Sequence, residues 1–366
     1  MTETTPSPPA RPLALEASHV ALGARFEARL GYRLPMAYGP SADATAEEYA
    51  AAREAAGLFD LSERALLAAS GPQRQKFLHV MLSNSVDGRA PGEGCRAALM
   101  DVKGHLLALL RVLVTPDAVL LEMPGDRLKA VEDTLVFHRV GAPVRFAARP
   151  AVVLGLLGPG LLAALEKAGA CVGDLEPESH AETALGGSPV RIARAGDLPA
   201  GGHVLHVDPG SAVGVWSALV AAGARPLGRE AVDALRIEEG RAWWGPDVTP
   251  ENLLHETGLL TEYHSPAKGC YPGQEVVARL EGRGGTVNKR LCGLLLSEIV
   301  PAGTPLRLEG RDAGRVTTAA VSPRLGPIAL AYVQRSALEI GRSLEAGGAT
   351  AHVVTLPFAQ ADVPSQ

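Results

Sequence analysis

A chain of 366 residues with 46% hydrophobic and 20% charged side chains is long enough to bury a sizeable core and to divide into two or three domains. Its formal net charge of −5 gives no global electrostatic reason to bind nucleic acid or an anionic membrane. The four cysteines, Cys95, Cys171, Cys270 and Cys292, show no CxxC and no dense disulfide spacing, so a reducing compartment and a cytoplasmic location are expected.

The N-terminus lacks the basic and apolar regions of a signal peptide, and residues 1–19 read as a flexible tail. Ala46–Ala56 reads as an alanine-rich helix stopped by Gly57. Short strands follow at Leu58–Ser62 and Ala65–Ala69. Ser70-Gly71-Pro72 then turns the chain into a helix over Gln73–Leu82. Three strands are expected at Arg96–Val102, Leu106–Thr115 and Ala118–Met123, and a helix at Arg127–Phe137. The run Leu106–Leu110 is the most apolar, but Arg111 ends it well short of a membrane span. A strand at Val152–Leu157, a Gly-Pro-Gly turn and a helix at Leu161–Ala168 echo the earlier order. Strands at Val190–Arg194 and His203–Val207 and helices at Ala212–Ala222 and Arg229–Glu239 complete two α+β units with antiparallel strands. From about Asn288, short valine- and leucine-rich segments separated by Gly, Pro, Asp and Arg read as a small β-barrel. Residues 359–366 read as a frayed end.

Catalytic patterns of the common kinds are missing. There is no GxxxxGK[ST] loop, no HExxH and no clustered Cys/His set, so no protein-encoded metal site is expected. His203 and His206 fall on opposite faces of a strand. His255 beside Glu256 and His264 near Glu262 read as solvated side chains.

One stretch stands apart: Lys268-Gly269-Cys270-Tyr271-Pro272-Gly273-Gln274-Glu275. Pro272-Gly273 suits the centre of a type II turn, because proline fixes φ and glycine accepts positive φ. A helix can begin at Gln274, supported by a Glu275–Arg279 pair one turn apart. The turn would present Cys270 and Tyr271 on a surface, with Lys268 supplying a positive field that favours thiolate. The alternative is a tight folding turn whose cysteine is a small buried hydrophobe.

The octapeptide, continued by Val276–Arg279 and Gly282-Arg283-Gly284, resembles the signature of the YgfZ-type folate-binding proteins of the glycine-cleavage T-protein (aminomethyltransferase) superfamily. Gly57–Ser62, Ser70-Gly71-Pro72 and Asp233–Glu238 support the superfamily, and the likeness runs from about residue 20 to 355. The resemblance implies an α+β, T-protein-like arrangement of three domains: two interleaved α/β-type units over 20–285 and a C-terminal antiparallel β-barrel over 286–358. It also implies tetrahydrofolate or a derivative as cofactor, held between the first two domains. Cys270, Lys268 and Tyr271 become the chemical candidates, and Arg236, Gln274 and Glu275 the cofactor-binding ones. Arg236 would meet a carboxylate of the glutamyl tail; its alternative is a helix-surface arginine paired with Glu239 or Asp233.

Two departures from the aminomethyltransferase pattern follow. Ala108 and Leu109 occupy the positions of a pair of aspartates, one of which lies near the transferring methylene. Neither can take a proton from an amine. Pro199-Ala200-Gly201-Gly202 stands where a glutamate meets the pterin edge. The YgfZ-type resemblance, which tolerates these departures, implies a folate-binding accessory protein supporting iron–sulfur enzymes, including tRNA-modifying ones. Its partners would be iron–sulfur assembly proteins or client enzymes, without nucleic acid or membrane, and a monomer is expected. The alternatives are a folate-dependent aminomethyltransferase and a non-catalytic interaction protein of the same fold.

Overall fold

The computed structural model describes residues 10–40 and 43–358. The chain opens with α1 (Glu16–Ala21), the hairpin β1 (Ala24–Arg29) and β2 (Tyr32–Tyr38), then α2 (Ala44–Glu54) and β3 (Gly57–Asp60). Next come β4 (Arg64–Ser70), α3 (Arg74–Met81), β5 (Gly94–Met100), β6 (Leu106–Val114), β7 (Ala118–Pro124), α4 (Leu128–His138) and β8 (Arg145–Arg149). The third stretch holds β9 (Val152–Leu157), α5 (Leu161–Lys167), β10 (His180–Leu185), β11 (Ser188–Arg194) and β12 (His203–Val207). It continues through α6 (Ala212–Ala221), β13 (Arg225–Pro226) and α7 (Arg229–Glu238). After α8 (Leu260–Tyr263) and α9 (Gln274–Glu281) come β14 (Lys289–Leu296), β15 (Pro305–Leu308), β16 (Arg311–Ser322), β17 (Gly326–Gln334), β18 (Ser343–Ala346) and β19 (Ala349–Val354).

The sheet orders make the interleaving explicit. One sheet runs β10-β11-β12-β9-β3-β13 and the other β5-β6-β7-β4-β8. Strand β3 therefore precedes the whole five-stranded unit in sequence but pairs with β9 beyond it. The last six strands close into a barrel in the order β14-β17-β16-β15-β18-β19. The expected α+β fold with two interleaved units and a C-terminal antiparallel barrel is thus observed. Among the described residues no helix is long and apolar enough to cross a membrane.

The expectation of a flexible tail through residue 19 is corrected. Leu13, Leu15 and His19 are buried. The His19 ring bridges the Asp60 carboxylate and the Tyr38 hydroxyl, each at 2.9 Å, which ties this first helix to β3 and β2. Residues 1–9 and the expected frayed end at 359–366 lie outside the described residues. Strands β1, β8 and β10 escape the sequence pattern because they alternate weakly or are largely exposed, and β18 because it is only four residues long.

Between the two sheets lies a buried ionic network. Arg111 on β6 pairs with Glu122, Glu178 and Asp197, while Arg64 on β4 pairs with Glu122 at 2.5 Å and Asp197 at 3.2 Å. His206 Nε2 adds a bond to Glu122 at 2.7 Å. Burial alone would raise both carboxyl groups, but Arg111 and Arg64 outweigh it and hold Glu122 and Asp197 well below the usual range. His203, on the opposite face of β12, is buried with neither ring nitrogen bonded, and desolvation lowers it to about 4.

These shifts set the response to acid. A buried neutral histidine supports the fold above its unfolded value of about 6.5, and that support is lost as pH falls toward its folded value of about 4. The depressed carboxylates contribute fully above about pH 4 and lose their contribution below it. His203→Phe should therefore flatten the stability loss between those two pH values, read by urea unfolding across pH. Arg111→Met should cost about 3–5 kcal/mol at neutral pH, because it strands buried carboxylates. A cost below about 1 kcal/mol would mean that the network behaves like a solvated surface pair.

Candidate functional site

The octapeptide folds as its residues dictate. Gln274 N–H donates to the Tyr271 carbonyl at 3.2 Å, and Gly273 sits at φ 84°, ψ −6°, which closes a type II turn before α9. A Cβ on Gly273 would lie 2.7 Å from the Asp101 carbonyl oxygen and 3.2 Å from Gly104 Cα. Gly104 is also at positive φ, and a Cβ there would come within 2.9 Å of Val276. The Pro-Gly turn and the β5–β6 hairpin turn thus touch backbone to backbone, which only glycine allows at both positions.

Lys268 is buried, and its ammonium donates to the carbonyls of His79 and Leu82 at 2.6 and 2.7 Å. These are open carbonyls at the C-terminal end of α3, the natural place for a cation. The same nitrogen lies 4.5 Å from the centre of the Tyr271 ring, and burial lowers the lysine to about 8. Its hydrogen bonds fasten the octapeptide to α3, and the ammonium stays within electrostatic reach of Cys270, which offsets part of that lowering. Cys270 itself is exposed and free. Tyr271 is buried, its hydroxyl is unpartnered, and burial raises it to about 12.

Gln274 accepts the Tyr271 N–H at 3.3 Å, inside its own turn. Glu275 pairs with Arg279 at 2.5 Å on the exposed side of α9, as the spacing predicts. Neither residue lines the large three-way cleft. His255 and His264 are buried rather than solvated, and burial lowers both. His264 lies 3.9 Å from Glu281 and packs against Tyr271, so these groups sit directly behind the turn. Among the described residues no cluster of three or more His, Cys, Asp or Glu could hold a metal ion.

The large cleft lies elsewhere, where the hairpin β1–β2, helix α7 with the loop after it, and the barrel meet. Its volume is about 1110 Å³, with Trp243, Trp244 and Tyr332 among its walls. Arg229 and Arg236 line its floor, and Arg29, Lys289 and Arg315 its sides. The cleft thus opens at a three-way meeting, while the ionic network occupies the region between the two sheets.

Arg236 is fully buried, held by Asp233 and Asp247 at 2.6 Å each and donating to the Arg241 carbonyl at 3.1 Å. Its guanidinium carbon is 5.1 Å from the Trp243 ring, so it fixes the aromatic wall. The Asp233 pairing foreseen as an alternative is present, and the second carboxylate, Asp247, was not readable from spacing. Only the Nη2 atom of Arg236 remains without a partner.

Ala108 packs in the core behind the five-stranded sheet with Leu67, Leu99 and Leu110, while Leu109 faces another apolar cluster with Met100 and Tyr271. Neither lines the cleft. The Ala200 N–H donates to Glu239 at 2.8 Å, so a carboxylate from the end of α7 approaches the loop that lacks its own.

These contacts separate anchoring from chemistry. Lys268→Met should cost about 1–3 kcal/mol by freeing two helix carbonyls, whereas Cys270→Ala should stay within about 0.5 kcal/mol of the parent. Thermal unfolding of the two variants checks this; equal losses would mean that the thiol also holds the fold.

Comparison with known proteins agrees with this architecture. The family model described as the GCVT N-terminal domain matches residues 15–262, and that of the glycine cleavage T-protein C-terminal barrel domain matches 289–360. An aminomethyltransferase of Streptomyces coelicolor is 30% identical over 367 residues, covering 95% of this chain and 97% of that protein. A putative chloroplastic transferase of Arabidopsis thaliana is 28% identical over 295 residues, covering 79% of this chain and 67% of that protein. The crystal structure of the glycine cleavage aminomethyltransferase of Bartonella henselae superposes with a TM-score of 0.86 at 25% identity, covering 96% of this chain and 98% of the other. Matched through both its interleaved units and its barrel, the chain belongs to the glycine cleavage T-protein family.

Proposed function

We propose that this protein binds a reduced folate, tetrahydrofolate or a derivative, in the three-way cleft. The observation that carries the reading is the cleft's chemistry: an aromatic wall of Trp243 and Trp244 beside a cationic side formed by Lys289 and Arg315. A flat heteroaromatic ring suits the first and an anionic tail the second. Arg236 is already neutralised by two aspartates, so the tail's carboxylates fall to the barrel cations. Arg315 has no ion-pair partner among the described residues, and Lys289 is 3.9 Å from Glu256.

On this reading the protein acts as a folate-linked accessory factor for iron–sulfur assembly proteins or client enzymes, including ones that modify tRNA. The exposed Cys270, on a turn anchored by Lys268 and two glycines, is its contact point with a partner's sulfur or iron. Aminomethyl transfer needs a proton acceptor near the reacting amine, and the apolar side chains of Ala108 and Leu109 offer none.

A second reading, folate-dependent aminomethyl transfer, has a specific observation in its favour. The relatives aligned over nearly the whole chain are named aminomethyltransferases. Those names support transfer more directly than they support the accessory role. Formation of methylenetetrahydrofolate and ammonia from an aminomethyl-lipoyl carrier protein separates the two. The accessory reading expects a rate about 10²–10³-fold below that of a related transferase; turnover of about 1 s⁻¹ or faster would select the transferase reading.

Folate binding itself is checked by calorimetry and tryptophan fluorescence with tetrahydrofolate. Saturable heat and quenching are expected, and Arg315→Ala and Lys289→Ala should each weaken binding by about tenfold. No saturable signal at about 1 mM ligand, an affinity scale of only about −4 kcal/mol, would remove folate from the account.

A further inference from the structure

A second surface, remote from the cleft, combines an open sheet edge with apolar and cationic side chains. Strand β8 is the last strand of the five-stranded sheet and pairs only with β4. Beside its start, the end of α4 and residues 70–72 and 139–145 form a groove of about 840 Å³. Phe137 and Val140 stand at this groove with 77% and 92% of their surface exposed. Exposed apolar side chains gathered in this way mark a contact surface more often than singly scattered ones do.

The two faces of the edge differ. In the β4–β8 register Phe146 and Ala148 lie opposite Ala69 and Leu67, on the face covered by the helices. Arg145, Ala147 and Arg149 alternate with them and point to the other face. Arg139, Arg145 and Arg149 have no ion-pair partner within 4.0 Å among the described residues, in a chain whose net charge is −5. Asp117, bonded to Thr115 at the β6–β7 turn, offsets only part of this charge.

We infer that β8 receives an extended segment of a partner protein in which apolar and acidic residues alternate, added as a sixth strand. Main-chain bonds to the open edge hold the segment. Side chains on its helix-layer face meet Phe137 and Val140, and those on its other face meet Arg145 and Arg149. A second copy of this chain does not fit the edge. Antiparallel pairing of two β8 strands about Ala147 would set Arg145 of each copy opposite Arg149 of the other, and like charges directly opposite are destabilising. Pro143 and Pro150, which flank the strand, limit the docked length to the six residues between them and suppress open-ended pairing.

The test uses the full chain and a fluorescein-labelled peptide of alternating valine and glutamate, with a valine–lysine peptide as control. Saturable anisotropy is expected for the glutamate peptide alone, weakening as salt rises. Amide exchange should slow over residues 145–149. The double variant Arg145→Glu/Arg149→Glu should weaken binding by about tenfold, and Phe137→Asp should weaken it independently. Both change exposed residues, so an unchanged unfolding midpoint certifies the fold. Absence of saturable binding, equal binding of the lysine peptide, or full affinity in both variants overturns the proposal. A sedimentation mass that rises with concentration would assign the edge to a second copy and overturn it as well.

Discussion

Helix α7 is buried along nearly its whole length although half of its residues are ionisable, and this constraint organises the molecule. A charge withdrawn from water must be paired. Each charged residue of α7 finds its partner in a different part of the chain. Arg229 pairs with Glu63 after β3, and Glu230 with Arg25 of the first hairpin. Asp233 holds Arg29 of that hairpin as well as Arg236, and Arg236 reaches Asp247. Glu238 accepts from Tyr49 of α2 and Ser322 of the barrel and pairs with Arg324. The hairpin, the first unit and the barrel are therefore positioned by one set of electrostatic requirements. The cleft is the space left where they meet.

The same logic explains why Arg236 makes a better scaffold than ligand anchor. Its guanidinium has two carboxylates and a carbonyl as partners, and displacing them would strand buried charge. Asp247 also accepts from the hydroxyls of Thr317 and Thr318, so the arginine's second partner is itself fixed by the barrel. What Arg236 provides to the cleft is the orientation of Trp243, whose indole N–H is held by the Asp197 carbonyl at 3.1 Å. Through Asp197 the aromatic wall is joined to the ionic network between the sheets. A change in that network can reach the cleft without touching any ligand.

The octapeptide solves a different problem, that of holding an exposed thiol in a fixed place. A surface cysteine on a free loop would have no defined position. Here backbone contact between Gly273 and Gly104, the capping of α3 by Lys268 and the burial of Tyr271 hold the exposed Cys270 between fixed neighbours. The hairpin that receives the turn is the one whose following strand carries Ala108 and Leu109. The strand that carries Ala108 and Leu109 and the exposed thiol are thus neighbours through the backbone, although the cleft opens elsewhere.

Much of the architecture was legible in the sequence because it rests on local rules. Apolar periodicity placed the helices at 74–81, 128–138 and 229–238 and most strands of both sheets, β8, β10 and β13 excepted, to within a few residues. Pro-Gly chemistry gave the turn at 272–273, and helical spacing gave the Glu275–Arg279 pair. The superfamily could be named from the octapeptide before any contact was known. Tertiary structure alone decided what depends on partners distant in the chain. Leu15 and His19 are ordered by Asp60 and Tyr38, and β8 exists because β4 offers an edge. Lys268 is fastened by open helix carbonyls some 190 positions earlier in the chain, a contact no local rule foretells. Local propensity acts over a few residues and can be read from order. Desolvation acts on whatever the fold brings together, so the pairing of buried charge, and with it the shape of the cleft, appears only once the chain has closed.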